Sequence, residues 1–141
     1  MNIIAIDPGY TNGLARVRIP DDGTEPYWNA TQLTNVHEAE IWVDDNTEWE
    51  TNILLVEDYV GSGHLSAEAK ETVSRLGYFY YSFKNSSALI SVETPVPQKR
   101  KCRVGIAKLL CEDRGIKGPH SWDALAHVLA WMYRNHIEVQ L

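Results

Sequence analysis

Residues 2–9 read Asn-Ile-Ile-Ala-Ile-Asp-Pro-Gly, a short apolar run rich in β-branched residues that stops at a turn. The run predicts a buried strand with Asp7 at its carboxyl end. Residues 13–19 alternate apolar side chains imperfectly with Arg16 and Arg18, which predicts an antiparallel strand that returns from the turn. The chain therefore begins with a hairpin that places an aspartate at one edge of a sheet.

Hydrophobic spacing and turn residues predict the remaining elements. The predicted strands are residues 27–33, 53–56 and 88–92, and the predicted helices follow the N-cap Asn35 and span residues 66–83, 97–110 and 121–136. The helix between the last two strands forms a crossover, so we expect those strands to be parallel. The pattern predicts a single α/β domain, residues 1–141, with a mixed five-stranded sheet flanked by helices.

Composition favours a folded domain outside the membrane. The chain has 141 residues, of which 44% are hydrophobic and 23% charged, so it can bury a core and does not resemble a disordered segment. No apolar run approaches the roughly 20 residues of a membrane span, and no signal-peptide pattern opens the chain. Its two cysteines, Cys102 and Cys111, form neither a disulfide framework nor a Cys-x-x-Cys metal site. We therefore expect an intracellular protein with no membrane partner.

The net charge of −6 hides an uneven distribution of charge along the chain. Residues 1–58 carry 12 acidic and two basic residues, whereas residues 59–141 carry seven acidic and 11 basic ones. Five of these bases lie between Lys99 and Lys108. Because salt screens charges beyond roughly 8–10 Å, this local cluster permits contact with phosphates despite the acidic total.

Two acidic residues follow short apolar strands, Asp7 after the first and Glu57 after residues 53–56. If these strands are parallel neighbours, both carboxylates lie at the edge where open α/β sheets bind ligands. Close carboxylates repel each other unless a cation joins them, and hard oxygen ligands suit Mg²⁺ or Mn²⁺. The alternative is that both are solvated acids in turns.

A second pair of candidate ligands, His120 and Asp123, stands at the start of the last predicted helix. Positions i and i+3 lie on one helical face, so both side chains can aim at one point. The alternative is a loop histidine beside an acid that merely suits the start of a helix.

Taken in order, three segments resemble the motifs of the RuvC-type Holliday junction resolvases of the RNase H-like superfamily. They are Ile4-Ala5-Ile6-Asp7-Pro8-Gly9, Leu55-Val56-Glu57 and His120-Ser121-Trp122-Asp123-Ala124-Leu125-Ala126. The resemblance spans residues 3–131 and implies an RNase H-like fold. It also implies a metal-dependent endonuclease that acts as a homodimer and cuts four-way DNA junctions by paired, symmetric nicks. The chain is shorter than the usual bacterial member, which suggests a trimmed, phage-encoded form. The expected location is the cytoplasm of a bacterium or of a phage-infected host cell.

The resemblance carries over to the metal site residue by residue. Asp7, Glu57 and Asp123 match the metal-holding acids of the family, and His120 stands where the family often has an aspartate. These four would be the catalytic residues and the ligands of two Mg²⁺ or Mn²⁺ ions roughly 3.5–4 Å apart. Asp7 is expected to bridge the two ions, and Asp58, which has no counterpart in the motif, is a candidate auxiliary ligand.

Basic and aromatic residues outside these motifs are candidates for DNA contact. The family places DNA-contacting bases after the last strand, where this chain has a basic cluster, although a solvated helix face would look the same. The cluster comprises Lys99, Arg100, Lys101, Arg103 and Lys108. Tyr59 lies just after the second motif, where resolvases of this type wedge or stack an aromatic at the crossover, with simple packing as the alternative. The aromatic residues within 78–83 are expected in the core or at a dimer contact.

Other functions fit parts of this pattern. Asp7-Pro8-Gly9-Tyr10-Thr11 also fits the phosphate loop of actin-like sugar kinases and ATPases, but those proteins need two such domains to enclose a nucleotide. The same metal site serves RNase H-like nucleases that act on flaps, RNA–DNA hybrids or other branched substrates. A non-catalytic junction-binding module is a further alternative, although it would gain nothing from acids beside phosphates.

Overall fold

A computed structural model of the protein describes residues 1–47, 52–56, 89–93 and 103–141. Within them lies a five-stranded sheet of β1 (Asn2–Asp7), β2 (Asn12–Arg18), β3 (Tyr27–Leu33), β4 (Asn52–Val56) and β5 (Leu89–Glu93). The strands lie in the order β3-β2-β1-β4-β5. β2 pairs antiparallel with β1 and β3, whereas β4 runs parallel to β1 and β5. The predicted mixed sheet and the predicted parallel pairing of β4 with β5 are confirmed.

Helices cover both faces of this sheet. In the described residues they are α1 (Val36–Asn46), α2 (Val104–Asp113) and α3 (Pro119–Arg134). α1 begins where the sequence predicts, because Oδ1 of Asn35 accepts hydrogen bonds from the backbone N–H groups of His37 and Glu38, at 2.9 and 3.1 Å.

The central strand β1 separates two apolar clusters, and all six of its residues are buried. Ile4 and Ile6 pack in the cluster that contains the buried residues of α1. Ile3 and Ala5 pack in the cluster that contains the buried residues of α2 and α3. Because side chains alternate along a strand, Asp7 belongs to the α3 face.

The last helix begins and ends two residues earlier than the predicted segment 121–136. It begins at Pro119 because the fixed φ of proline suits the first helical position. It ends at Arg134 because His136 takes a φ of 55° and forms the left-handed residue of a Schellman motif. The earlier start places His120 inside the first turn instead of before it.

α2 extends to Asp113, three residues beyond the predicted end at Leu110, and the chain turns at Gly115, which has a φ of 70°. The predicted start at Pro97 and the predicted helix at 66–83 lie outside the described residues. In the described part of the chain, no helix is both long enough and apolar enough to cross a membrane.

Candidate metal centre

Asp7 ends the central strand β1, and only 4% of its surface is exposed. Its side chain belongs to the face that α3 covers, and its pairing partner on β2 is Gly13. Burial of a carboxylate is costly when its charge loses contact with water. The surroundings of the Asp7 carboxyl group are therefore neighbouring protein groups and not bulk solvent.

His120, in the first turn of α3, is brought to Asp7 by the packing of that helix on the sheet. Its Nδ1 atom lies 3.9 Å from Oδ2 of Asp7, and its side chain is 43% exposed. Two ligands of one octahedral cation, each about 2.1 Å from it, lie roughly 3 Å apart when adjacent and about 4.2 Å apart when opposite. The observed separation lies between these two values, so the structure brings the two side chains together without placing them at the spacing of two ligands of one octahedral cation.

Asp123 follows His120 by one helical turn and is partly buried. Their i, i+3 spacing puts both residues on one face of α3. Across the four described ranges, no three His, Cys, Asp or Glu side chains are grouped so that they could hold a metal ion. The structure thus brings together Asp7 and His120, and the participation of Asp123 stays a prediction.

The strand that precedes Glu57 is also in place. β4 lies parallel to β1, and its last paired residue, Val56, is one residue short of the level of Asp7. The condition on which the pairing of the two acids depended, that β1 and β4 are parallel neighbours, is therefore met. Glu57, Asp58 and Tyr59 lie outside the described residues, so the roles assigned to them stay predictions.

The turn after Asp7 is tied down by Asn12, a residue that the sequence patterns did not single out. Asn12 is fully buried, and its Oδ1 accepts a hydrogen bond from the backbone N–H of Gly9 at 3.2 Å. Its Nδ2 donates to the backbone carbonyl of Leu33 at 3.1 Å, which joins the turn to the end of β3. An asparagine beside a turn often bonds the local backbone, and that is the signal available in the sequence. The bond to β3 depends on the sheet.

Solved structures with this architecture include two from Thermus thermophilus, RuvC in complex with Holliday junction substrate and RuvC itself. Their TM-scores are 0.63 and 0.61, each at 15% sequence identity, and each match covers 100% of this chain and 100% of the other. This protein has a RuvC-type fold. At the level of sequence, no family model and no curated protein matches the chain.

In this RuvC-type fold, Lys108 is a described member of the basic cluster, and it contacts the amino-terminal part of α3. Its Nζ lies 5.2 Å from the centroid of the Trp122 ring, on the residue that precedes Asp123. The same Nζ lies 3.8 Å from Oε1 of Glu112, one turn along α2. Lys108 is therefore held beside the amino-terminal part of α3 by an aromatic ring and an exposed acid.

Arg103 lies at the opposite end of the α2–α3 pair. Its guanidinium carbon is 4.2 Å from the ring centroid of Tyr133, near the carboxyl end of α3. At 1.5 Å per residue, the stretch of α3 from His120 to Tyr133 is roughly 20 Å long. The structure thus does not bring Arg103 to the Asp7–His120 pair. Lys99, Arg100 and Lys101 lie outside the described residues.

Cys111, on α2 of the RuvC-type fold, has no part in the candidate chemistry. It is fully buried, and burial raises the pKa of its thiol to about 11. A thiol that stays protonated at neutral pH is neither a nucleophile nor a metal ligand.

Proposed function

We propose that this chain is a divalent-metal-dependent endonuclease that resolves four-way DNA junctions by paired, symmetric nicks. The observation that carries the proposal is the Asp7–His120 pair, 3.9 Å apart at the carboxyl end of the central strand of a RuvC-type fold. Open α/β sheets bind ligands at this edge. One of the similar structures contains RuvC with a Holliday junction substrate, which supports branched DNA as the substrate class.

Asp7, Glu57, His120 and Asp123 are the residues that would hold two Mg²⁺ or Mn²⁺ ions. When bound, such ions supply an activated water and neutralise the departing oxygen of the phosphodiester. Asp7 would hold both ions, because its burial keeps bulk water away from the carboxyl group. His120 is 43% exposed, and its solvent side leaves an approach by which a phosphate can reach the pair.

Paired nicks require two active sites, so the proposal includes a homodimer. A four-way junction with two equivalent strands to be cut has two-fold symmetry, and a two-fold dimer would present one site to each strand. Each copy of the chain would make one nick.

The proposal is tested on a synthetic four-way junction, a flap, an RNA–DNA hybrid and a plain duplex, each with EDTA, Mg²⁺ or Mn²⁺. We expect nicks at symmetric positions on two opposing strands of the junction, only when a divalent cation is present. Cleavage of the flap or the hybrid, with no cleavage of the junction, would identify an RNase H-like nuclease of different specificity. Tight junction binding with no cleavage in either metal would identify a binding module.

The basic cluster is proposed to bind the phosphates of the junction arms. Changing Lys99 and Lys101 together to alanine should reduce the slope of log affinity against log salt by about 1.8, because each phosphate contact contributes roughly 0.9. Fluorescence anisotropy with a labelled junction at several salt concentrations measures this slope.

Arg18→Ala is the matched control for that measurement. Arg18 is exposed and lies at the other end of β2 from Gly13, the pairing partner of Asp7. Its removal changes the net charge of the protein but should leave the salt slope as in wild type. A double lysine variant with the wild-type slope would contradict the assignment of the cluster.

Aromatic contact with bases near the cut site also belongs to the proposal. Tyr59 is proposed to stack on a base at the crossover, an interaction worth about 1–3 kcal/mol per base. Tyr10, which the sequence analysis did not assign to DNA, is 69% exposed in the turn after Asp7. It offers a second aromatic surface three residues from the candidate metal ligand.

A further inference from the structure

The backbone of α3 rests directly on the backbone of β2 at Gly13. A Cβ atom at this position would lie 2.6 Å from the carbonyl carbon of His120 and closer still to its carbonyl oxygen. It would also lie 3.3 Å from Cβ of Asp7. Only a residue without a side chain allows this approach, so Gly13 determines how close the first turn of α3 comes to the sheet.

A second close approach lies one strand further along. Gly118, the residue before α3, has a φ of 101°, and a Cβ there would overlap the side-chain amide of Gln32. Gln32 pairs with Gly13 between β3 and β2, just as Gly13 pairs with Asp7 between β2 and β1. The start of α3 therefore contacts two neighbouring positions of one row that crosses the sheet and ends at Asp7.

We infer that Gly13 and the Gly118–Gln32 contact form a helix seat that sets the height of the start of α3 above the sheet. Through that height the seat sets the separation between His120 and Asp7. Gly13 is the main positioning residue, because it meets backbone, and the contact of Gly118 with the exposed side chain of Gln32 supports it. This inference rests on the proposed metal-dependent function. Its physical basis is that the contact at Gly13 is between two backbones, which cannot move aside as a flexible side chain can.

The size of the effect follows from the geometry at Gly13. The 2.6 Å approach in an alanine variant is about 1 Å shorter than the roughly 3.5–4.0 Å at which carbon atoms attract best. Relief of the overlap has to move the first turn of α3 away from β2 by about that amount. A misplacement of about 1 Å at a reacting centre can cost about 100-fold in rate.

The first test compares Gly13→Ala with Gly105→Ala. A Cβ at Gly105, in α2, meets nothing within 4 Å, and alanine suits a helix better than glycine. We expect Gly13→Ala to weaken Mn²⁺ binding at least tenfold, measured by the electron paramagnetic resonance signal of free Mn²⁺. Cleavage at saturating Mn²⁺ should fall about 100-fold, while junction affinity in EDTA stays within twofold. Gly105→Ala should match wild type in all three measurements.

A second test can be used if the Gly13→Ala variant does not fold. A double-mutant cycle is formed by Gly118→Ala, Gln32→Ala and the double variant. Gly115→Ala is the control for backbone strain, because Gly115 also has a positive φ but would have no atom within 4 Å of an added Cβ. We expect Gly118→Ala to weaken Mn²⁺ binding less than Gly13→Ala, because the exposed side chain of Gln32 can partly move aside. Gln32→Ala should restore Mn²⁺ binding in the double variant. The loss of thermal stability caused by the strained φ should persist in that double variant and should also occur in Gly115→Ala.

The outcomes separate the seat from the proposed function. Wild-type protein that binds no Mn²⁺ and cuts no junction would refute the metal-dependent function, and the seat with it. Wild-type protein that binds Mn²⁺ and cuts, together with a folded Gly13→Ala that binds Mn²⁺ equally well, would refute the seat alone. Absence of coupling between Gly118 and Gln32 in Mn²⁺ affinity would do the same.

Discussion

Asp7→Asn should lower the rate of junction cleavage by about 1,000-fold or more, which corresponds to roughly 4 kcal/mol of activation free energy. Asparagine keeps the size of the side chain but removes the negative charge that would hold the cations. Because only 4% of Asp7 is exposed, bulk water has little access with which to replace the lost ligand. Junction affinity should stay within a few-fold of wild type, since phosphate contacts come from other residues.

Single-turnover cleavage in Mg²⁺ and in Mn²⁺, together with junction binding in EDTA, measures both parts of this prediction. Asp21→Asn is the control, because it makes the same change of charge at a side chain that is 94% exposed. It should cleave at the wild-type rate. An Asp7→Asn protein that retains cleavage would remove the metal centre from the mechanism.

His120→Ala should lower cleavage about 100-fold, and His120→Asp should retain cleavage with a shifted metal preference. Imidazole nitrogen suits first-row transition metals, whereas Mg²⁺ prefers oxygen ligands. The wild-type protein should therefore work better in Mn²⁺ than in Mg²⁺. Replacement of the nitrogen by a carboxylate oxygen should raise the relative activity in Mg²⁺.

Metal titrations of the cleavage rate for wild type and both variants measure this preference. His37→Ala is the control, because His37 lies on α1, on the other face of the sheet, with a side chain that is 73% exposed. It should leave the rate and the metal preference unchanged. If His120→Ala kept both the wild-type rate and the wild-type metal preference, His120 would not be a ligand.

The elements that the sequence predicted best are those whose signals are local. β3 was predicted at its observed bounds, 27–33, because turn residues precede it and a helix cap follows it. Asn35 was recognised as the cap of α1 because its bonds reach only to the next turn of the chain. The start of α3 was misplaced because Pro119 and His120 carry no apolar signal, although proline suits the first helical position.

In the candidate site too, local sequence patterns identified the residues, whereas the distance between them depends on the tertiary structure. Asp7 could be found because it ends an apolar strand, and His120 because its spacing from Asp123 matches a helix. Neither pattern contains the 3.9 Å between Asp7 and His120, which belongs to the packing of α3 on β2. Gly13 drew attention only as the start of a strand, since nothing in the neighbouring residues indicates that a helix backbone lies over it.

Sequence alone thus predicted all five strands to within about one residue at each end and placed Asp7 at the end of β1. It could do so because periodicity and turn chemistry act over a few neighbouring residues. The tertiary structure decided how far apart His120 and Asp7 lie. That distance results from two backbones in contact at Gly13, between segments that are remote along the chain. A contact of this kind leaves no periodic signal, since its only trace in the sequence is the absence of a side chain.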